Sequence, residues 1–319
     1  MRAVITATGS YLPEKVLTNF DLEKMDDTSN DWIVQRSGIK QRHIAAENET
    51  TSALAIKAAS RAIEAGNIDV ASIDGIIVAT TTPDLTFPSV AVMVQNDLGV
   101  PPCMAFDVQA VCSGFVYAIS VANSLISAGS HKKILVIGAE KMSSILNWED
   151  RTTCVLFGDG AGAIILEASE DNDERGILST HLYANGAQAD LLCTSDGVSS
   201  QGTAGHILMQ GKDVFKHAVS HMAAIVDEVI EKNGIEASAI DWLVPHQANI
   251  RILESTAKKL GMPIDKVIVT VDQHGNTSAA SIPLALDQAV RDGRIQPGQL
   301  LLLEAMGGGF TWGAALVKF

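Results

Sequence analysis

Ile68-Asp69-Val70-Ala71-Ser72-Ile73-Asp74 and Ile235-Glu236-Ala237-Ser238-Ala239-Ile240-Asp241 are the two stretches whose reading decides the fold, and they lie about 167 positions apart. Each leads into a short apolar run. The run starting at Ile134 has a counterpart starting at Leu300 at nearly the same offset. One match of this length carries little weight. Two at a shared offset, inside the same order of elements, predict a duplicated α/β unit.

Outward from these stretches, short apolar runs between turn signals read as strands buried on both faces. In the first half they predict strands over 3–9, 73–79, 105–108, 133–138 and 161–167, with helices over 51–65, 89–98 and 114–127. In the second half they predict strands over 240–244, 266–271, 300–304 and 314–318, with helices over 214–233, 247–260 and 278–291. The segment 170–175 reads as a charged turn without a core residue, and divides the chain into halves 1–170 and 171–319. Two stretches break the duplication: 143–153, with Trp148 and Arg151, and 185–211, rich in Gly, Ser, Thr and Gln. Loops of this length usually cover a site or are partly mobile.

The chain has 319 residues, 47% of them hydrophobic and only 5% aromatic, so it can bury a large core of small side chains, as α/β layers do. A formal net charge of -14 argues against nucleic acid as partner, although a local basic patch can still meet an acidic protein. Cys103, Cys112, Cys154 and Cys193 form no CxxC pair, which argues against a zinc ribbon or a thioredoxin motif and for a reducing compartment. The first ten residues lack the apolar stretch of a signal peptide, and no run approaches the roughly 18 apolar residues of a membrane span. The expectation is a soluble, cytoplasmic protein.

Ligands of open α/β sheets sit beyond the carboxyl ends of the strands. Cys112, His246 and Asn276 fall there, and the duplication puts Cys112 and Asn276 in nearly equivalent turns of the two halves. A thiol at a helix N-terminus meets free amides and the positive end of the dipole, which favour thiolate. From the residues alone, each has an ordinary alternative: a buried structural cysteine, a pocket-filling histidine, a turn asparagine. Gly307-Gly308-Gly309 reads either as a flexible turn or as a place where backbone amides approach a ligand as half of an oxyanion hole. No Lys-Ser/Thr follows it, so it is not a phosphate loop.

Four motifs then occur in order: Ala110-Val111-Cys112-Ser113-Gly114-Phe115; Asp241-Trp242-Leu243-Val244-Pro245-His246-Gln247-Ala248-Asn249; Gly275-Asn276-Thr277-Ser278-Ala279-Ala280-Ser281; and Leu303-Glu304-Ala305-Met306-Gly307-Gly308-Gly309-Phe310-Thr311-Trp312-Gly313. Over essentially its whole length the chain resembles the β-ketoacyl-acyl-carrier-protein synthase III family. The resemblance implies a thiolase-like α/β fold, with duplicated halves in five αβαβα layers, and a homodimer. It implies a catalytic set of Cys112, His246 and Asn276; an asparagine in third place favours the CoA-primed initiating enzymes over the elongating ones, which carry Cys-His-His. By the same resemblance, Cys112 takes the acyl group of an acyl-CoA primer, typically acetyl-CoA, with the amides of Cys112 and Gly308 as the oxyanion hole. Malonyl-acyl-carrier protein then loses CO2 while His246 and Asn276 hold its thioester carbonyl, with no metal and no redox cofactor required.

The resemblance also implies that Trp32 and Arg151 sandwich the CoA adenine, and that Arg36, Phe215 and Asn249 lie along the CoA tunnel. Phe87 would reach the partner's acyl pocket, the alternative being a core aromatic. Arg251, Lys258 and Lys259 would receive the acidic carrier protein. Papain-like hydrolases share a Cys-His-Asn set but lack a duplication. Degradative thiolases use a second cysteine near the C-terminus, and this chain has none after Cys193. The motifs leave primer choice open.

Overall fold

The aspartate closing each repeated stretch ties the same two strands together in both halves. In a computed structural model, which describes residues 1–169 and 173–319, Asp74 accepts from the amides of Lys132 and Lys133 at 2.7 and 3.0 Å, and its own amide donates to Lys133 O at 3.0 Å. Asp241 accepts from Leu300 N at 2.7 Å and donates to Leu300 O at 2.9 Å. Hydrogen bonds to an ionised acceptor contribute about 1.5–3 kcal/mol each. This clamp is the physical content of the sequence repeat.

The two large sheets are built from β1 (Ala3–Tyr11), β2 (Gly75–Ala79), β3 (Met104–Val108), β4 (Lys133–Lys141), β5 (Asp159–Ala168), β6 (Gly176–Ala184), β7 (Trp242–Pro245), β8 (Leu300–Gly307) and β9 (Thr311–Lys318). The first sheet runs β1-β5-β4-β2-β3 and the second β6-β9-β8-β7, the same order with one strand fewer. Their central parallel pairs share a register: Gly75 faces Ile134 and Trp242 faces Leu301, each partner 167 positions on.

The principal helices are α1 (Asn30–Ser37), α2 (Thr51–Ala65), α3 (Val90–Asp97), α4 (Gly114–Ser127), α5 (Gly211–Asn233), α6 (Ile250–Lys259) and α7 (Ser281–Arg291). α2 and α3 cover the outer face of the first sheet, α4 and α7 lie between the sheets, and α5 and α6 cover the second, giving five αβαβα layers. α4 buries Phe115, Val116, Ala118, Ile119, Ala122 and Ile126, as its nearly all-apolar circumference requires. The turn entering α7 comes so close to β4 that a Cβ on Gly138 would lie 2.3 Å from Ala279 O. Only glycine admits that approach.

The missing strand is the main departure from expectation. The apolar run at 266–271 makes one parallel bridge, Val267 to Leu243, and one bond from Ile268 N to Leu243 O at 2.9 Å. The buried side chain of Gln247 then replaces the ladder: Nε2 donates to Ile268 O at 2.9 Å, and Oε1 accepts from Thr270 N and Val271 N at 2.8 and 3.1 Å. The same residue keeps 247–248 out of the helix, which starts at Ile250 under an Asn249 cap. The stretch expected as a helix over 278–291 divides into a 3-10 turn, Ser278–Ala280, and α7. β6, an edge strand with polar Ser179, Thr180 and His181, was not among the expected strands. Residues 170–172 of the charged turn, and with them the boundary between the halves, lie outside the described residues. Among the described residues, no helix is long and apolar enough to cross a membrane.

One buried carboxyl sets a pH dependence. Glu304 in β8 is fully buried, neither of its carboxyl oxygens has a hydrogen-bond partner among the described residues, and burial pushes its acid up to about 8. Because its folded value lies above its unfolded one, its contribution to stability is complete below the ordinary glutamate range and is lost as pH rises through about 8. Glu304→Gln is therefore expected to raise Tm by several degrees at about pH 9, with the gain shrinking toward about pH 5. Differential scanning calorimetry at the two pH values checks this; a gain independent of pH would show that Glu304 does not titrate as described.

Candidate active site

β3 ends at Val108, and the chain passes through the 3-10 turn Val111–Ser113 into α4. Val111 is held at φ +49, a conformation that costs a β-branched residue about 1–3 kcal/mol. Ala110 O anchors the turn by accepting from Ser113 Oγ and Thr311 Oγ1, each at 2.8 Å. Gly307 packs directly beneath: a Cβ there would lie 2.6 Å from Cys112 N. The outcome is a thiol at the tip of a buried helix. Among the described residues, neither the Cys112 amide nor the Gly308 amide donates to another backbone or side-chain oxygen.

His246 follows β7, with its amide donating to Glu304 O at 2.8 Å. Its Nδ1 lies 2.6 Å from Ser281 Oγ, which also accepts from Gln247 N at 3.3 Å. With the Ser281 hydroxyl donating to Nδ1, the ring carries its proton on Nε2, which then points into the cavity as a donor; with Nδ1–H donating to Ser281, Nε2 is the bare acceptor. Burial drives the imidazole down to about 3, so the ring is neutral at physiological pH. Asn276 is fixed by its backbone, its amide donating to Leu156 O at 2.8 Å and its carbonyl accepting from Gly158 N at 3.0 Å. Its Oδ1 accepts from Ser278 N at 2.9 Å, which leaves Nδ2 as the donor facing outward. Cys112, His246, Asn276 and Gly308 all line one cavity of about 2060 Å³.

The charge state of the thiol differs from the expectation. Burial pushes Cys112 up to about 12; a hydrogen bond with Ser278 pulls the other way, and the nearby Glu140 carboxylate adds to the rise. A helix end contributes up to about 2 kcal/mol, or some 1.5 pK units. That is smaller than the burial effect, so the resting group is a neutral thiol and not a thiolate.

Of the remaining expected residues, Trp32 carries two guanidinium groups, Arg36 at 4.4 Å and Arg151 at 5.7 Å from its ring centroid. Arg151 also pairs with Asp27 at 3.2 Å. Asn249 Nδ2 donates to Arg36 O at 2.8 Å, joining α6 to α1. Arg251 lies 5.5 Å over the Phe215 ring. Trp32, Arg36, Phe215, Asn249 and Arg251 line the same cavity. Phe87 also lines it and is 83% exposed, so the core-aromatic alternative is wrong. Lys258 and Lys259 stand at the far end of α6, where Lys259 pairs with Asp227 at 3.1 Å. The sequence reading passed over Lys212, which lines the cavity from the first turn of α5, and the supporting Ser278, Ser281 and Glu140. Both serines lie inside a motif already quoted; Glu140 is an acid closing an apolar strand, a signal that was available.

The family description "3-Oxoacyl-[acyl-carrier-protein (ACP)] synthase III" matches residues 106–186, and its C-terminal counterpart matches residues 230–319. The chain is 60% identical to the β-ketoacyl-[acyl-carrier-protein] synthase III of Paramagnetospirillum magneticum, over 100% of this chain and 99% of that one. It is 58% identical to that of Erythrobacter litoralis, over 100% of both. Its structure is similar to the crystal structure of 3-oxoacyl-[acyl-carrier-protein] synthase III from Aquifex aeolicus VF5, with a TM-score of 0.95 and 47% identity over 99% of this chain and 100% of that one. The corresponding Pseudomonas aeruginosa PAO1 structure gives a TM-score of 0.95 at 40% identity, over 100% and 98%.

A neutral, buried thiol has a definite signature. Alkylation of Cys112 by iodoacetamide, followed by peptide mass spectrometry, is expected to accelerate by about tenfold per pH unit from about pH 7 to 10 without a plateau. A plateau below about pH 8 would mean that the helix end outweighs burial.

Proposed function

This chain belongs to the β-ketoacyl-[acyl-carrier-protein] synthase III family, and we propose that acetyl-CoA is the primer it loads, on Cys112. It is an acyltransferase of the condensing class, joining an acyl-CoA to malonyl-acyl-carrier protein with loss of CO2 in the initiating step of fatty-acid synthesis. The observation that carries the assignment of roles is the convergence of Cys112, His246, Asn276 and Gly308 on one cavity, each with an unengaged group.

Cys112 attacks the thioester carbonyl of the primer. The resulting oxyanion is held by the amides of Cys112 and Gly308, whose freedom from other partners supports this role. CoA departs and malonyl-acyl-carrier protein enters. His246 Nε2–H and Asn276 Nδ2 then donate to its thioester carbonyl. Two neutral donors suit an enolate, because they stabilise charge that exists only after CO2 has begun to leave. The enolate carbon attacks the acyl-cysteine and releases the β-ketoacyl product. In this reading no metal and no redox cofactor takes part.

Trp32 and Arg151 hold the adenine, with Arg36, Phe215 and Asn249 along the tunnel; the guanidinium groups gathered at the Trp32 ring support this. Arg251, Lys258 and Lys259 receive the acidic carrier protein. Arg251, which lines the cavity, is the best supported of the three, and Asp227 partly neutralises Lys259. A homodimer is supported by β3, an edge strand paired on one side only, and by the exposed Phe87 beside the cavity. We read the chain as two thiolase-like units, 1–170 and 171–319, working in the cytoplasm. The apolar wall of Met142, Ile145, Leu156, Phe157 and Ile207 supports an uncharged acyl group as primer.

Incubation with a panel of acyl-CoAs, read by intact-mass spectrometry, is expected to label wild-type protein once, best with acetyl-CoA, and to leave Cys112→Ala unlabelled. A label that survives Cys112→Ala excludes this nucleophile, and a preference for long or branched acyl groups excludes acetyl-CoA as the primer. His246→Ala and Asn276→Ala are each expected to keep acylation while lowering malonyl decarboxylation by about 10²–10³-fold. Lost acylation with decarboxylation intact would reverse the roles.

A further inference from the structure

Asn276 can donate to a substrate carbonyl only as accurately as its backbone is placed, and that backbone hangs on the segment 155–158 through Leu156 O and Gly158 N. One buried side chain reaches this segment. Arg42 belongs to the strand Gln41–Ile44, outside the four motifs, and is fully buried. Its Nη2 donates to Val155 O at 2.6 Å, the carbonyl one residue before the one that accepts from Asn276 N. Its Nη1 donates to Leu17 O at 3.1 Å and to Asn19 Oδ1 at 2.9 Å. Asn19 is itself buried and tied down, its Nδ2 donating to Ile39 O at 2.7 Å and to Asn30 Oδ1 at 3.2 Å. The stem of the arginine meets the support of Asn276 twice more. A Cβ on Gly158 would lie 2.9 Å from Arg42 Cβ, and one on Gly275, the residue before Asn276, would lie 3.0 Å from it.

The chemistry of the side chain fits a strut. All three of its acceptors are neutral, and Nε has no partner among the described residues. A cation buried on carbonyl dipoles carries a desolvation cost that no carboxylate offsets here. Burial lowers the guanidinium only to about 10, so it stays charged at neutral pH. What the guanidinium supplies is a rigid planar fork, whose nitrogens hold oxygens from separate segments at a fixed spacing.

We propose that Arg42 is a positioning residue for the decarboxylating half-reaction: it sets the place of Asn276 through Val155 and the two glycines. It does not line the cavity and touches no substrate itself. The Cys112 turn is anchored separately, by Ala110 O on Ser113 and Thr311, so acylation does not depend on the fork. A misplacement of a donor by a fraction of an ångström is enough to slow a reaction whose transition state that donor stabilises.

This inference rests on the donor role of Asn276, and the test separates the two. Arg42→Lys keeps the charge but loses the fixed spacing of the fork. Acetylated enzyme is mixed with malonyl-acyl-carrier protein over a range of concentrations, and CO2 release is measured. In Arg42→Lys the kcat of this step is expected to fall by about tenfold with KM unchanged. Acylation of Cys112 at saturating acetyl-CoA is expected to stay within about twofold of wild type. In an Asn276→Ala background, adding Arg42→Lys is expected to lower CO2 release no further, because the group to be positioned is gone. Equal slowing of both half-reactions, an undiminished loss in the Asn276→Ala background, or unchanged decarboxylation in Arg42→Lys each overturns the positioning role. Should Arg42→Lys fail to fold, Asn19→Ala leaves the arginine in place, frees its Nη1 end, and carries the same comparison with an expected fall of about threefold. Asn276→Ala that releases CO2 at the wild-type rate is a separate result, and overturns the donor role itself.

Discussion

The packing of the Val111–Ser113 turn against the Ser278–Ala280 turn is the contact on which the site depends. It is where the two halves meet, and it tolerates almost no added volume. Gly138 admits the Ala279 carbonyl from one side, and Gly307 admits the Cys112 amide from another. Val111 and Ser278 are both held at positive φ, near +50, within this contact. Such strain persists only where the surroundings over-determine it. Here the surroundings are the ends of β2, β4, β7 and β8, brought to one level by a common register.

The chemistry follows from what that contact leaves dry. The thiol and the imidazole are both nearly inaccessible, and both are held in their neutral forms by burial. A neutral imidazole with hydrogen on Nε2 donates and does not abstract. The asparagine beside it, with Oδ1 occupied by Ser278 N, also donates. With the ring in that tautomer the site gathers fixed neutral donors around the thiol, a setting suited to stabilising a transient oxyanion or enolate without holding a resting anion.

Much of this was legible in the sequence. The repeated aspartates marked the parallel pairs because they make the same clamp twice, and the four motifs carry the residues that line one cavity, three of them at strand ends and the fourth after the run at 266–271. What was not legible depended on side chains standing in for backbone. The run at 266–271 has the composition of a buried strand, and only the placement of Gln247 shows why it makes a single bridge. The polar edge strand β6 carries little apolar signal. The expected thiolate did not survive because a helix terminus reads off the sequence while depth of burial does not. Arg251, Phe215, Trp32 and Arg36 gather on one cavity, whereas Lys258 and Lys259 follow the periodicity of α6 away from it.

Gln247 has a wider consequence. A perfectly repeated molecule would end in two matching strands on this side, each with a row of bare amides and carbonyls, and copies could add to either. The glutamine side chain takes up Ile268 O, Thr270 N and Val271 N in place of a ladder, so the second sheet has no counterpart of β3, which is paired on one side only. Strand addition on this side of the molecule therefore has its template in the first sheet and not in the second. The imperfection in the repeat makes the two halves unequal as surfaces although they are nearly equal as folds.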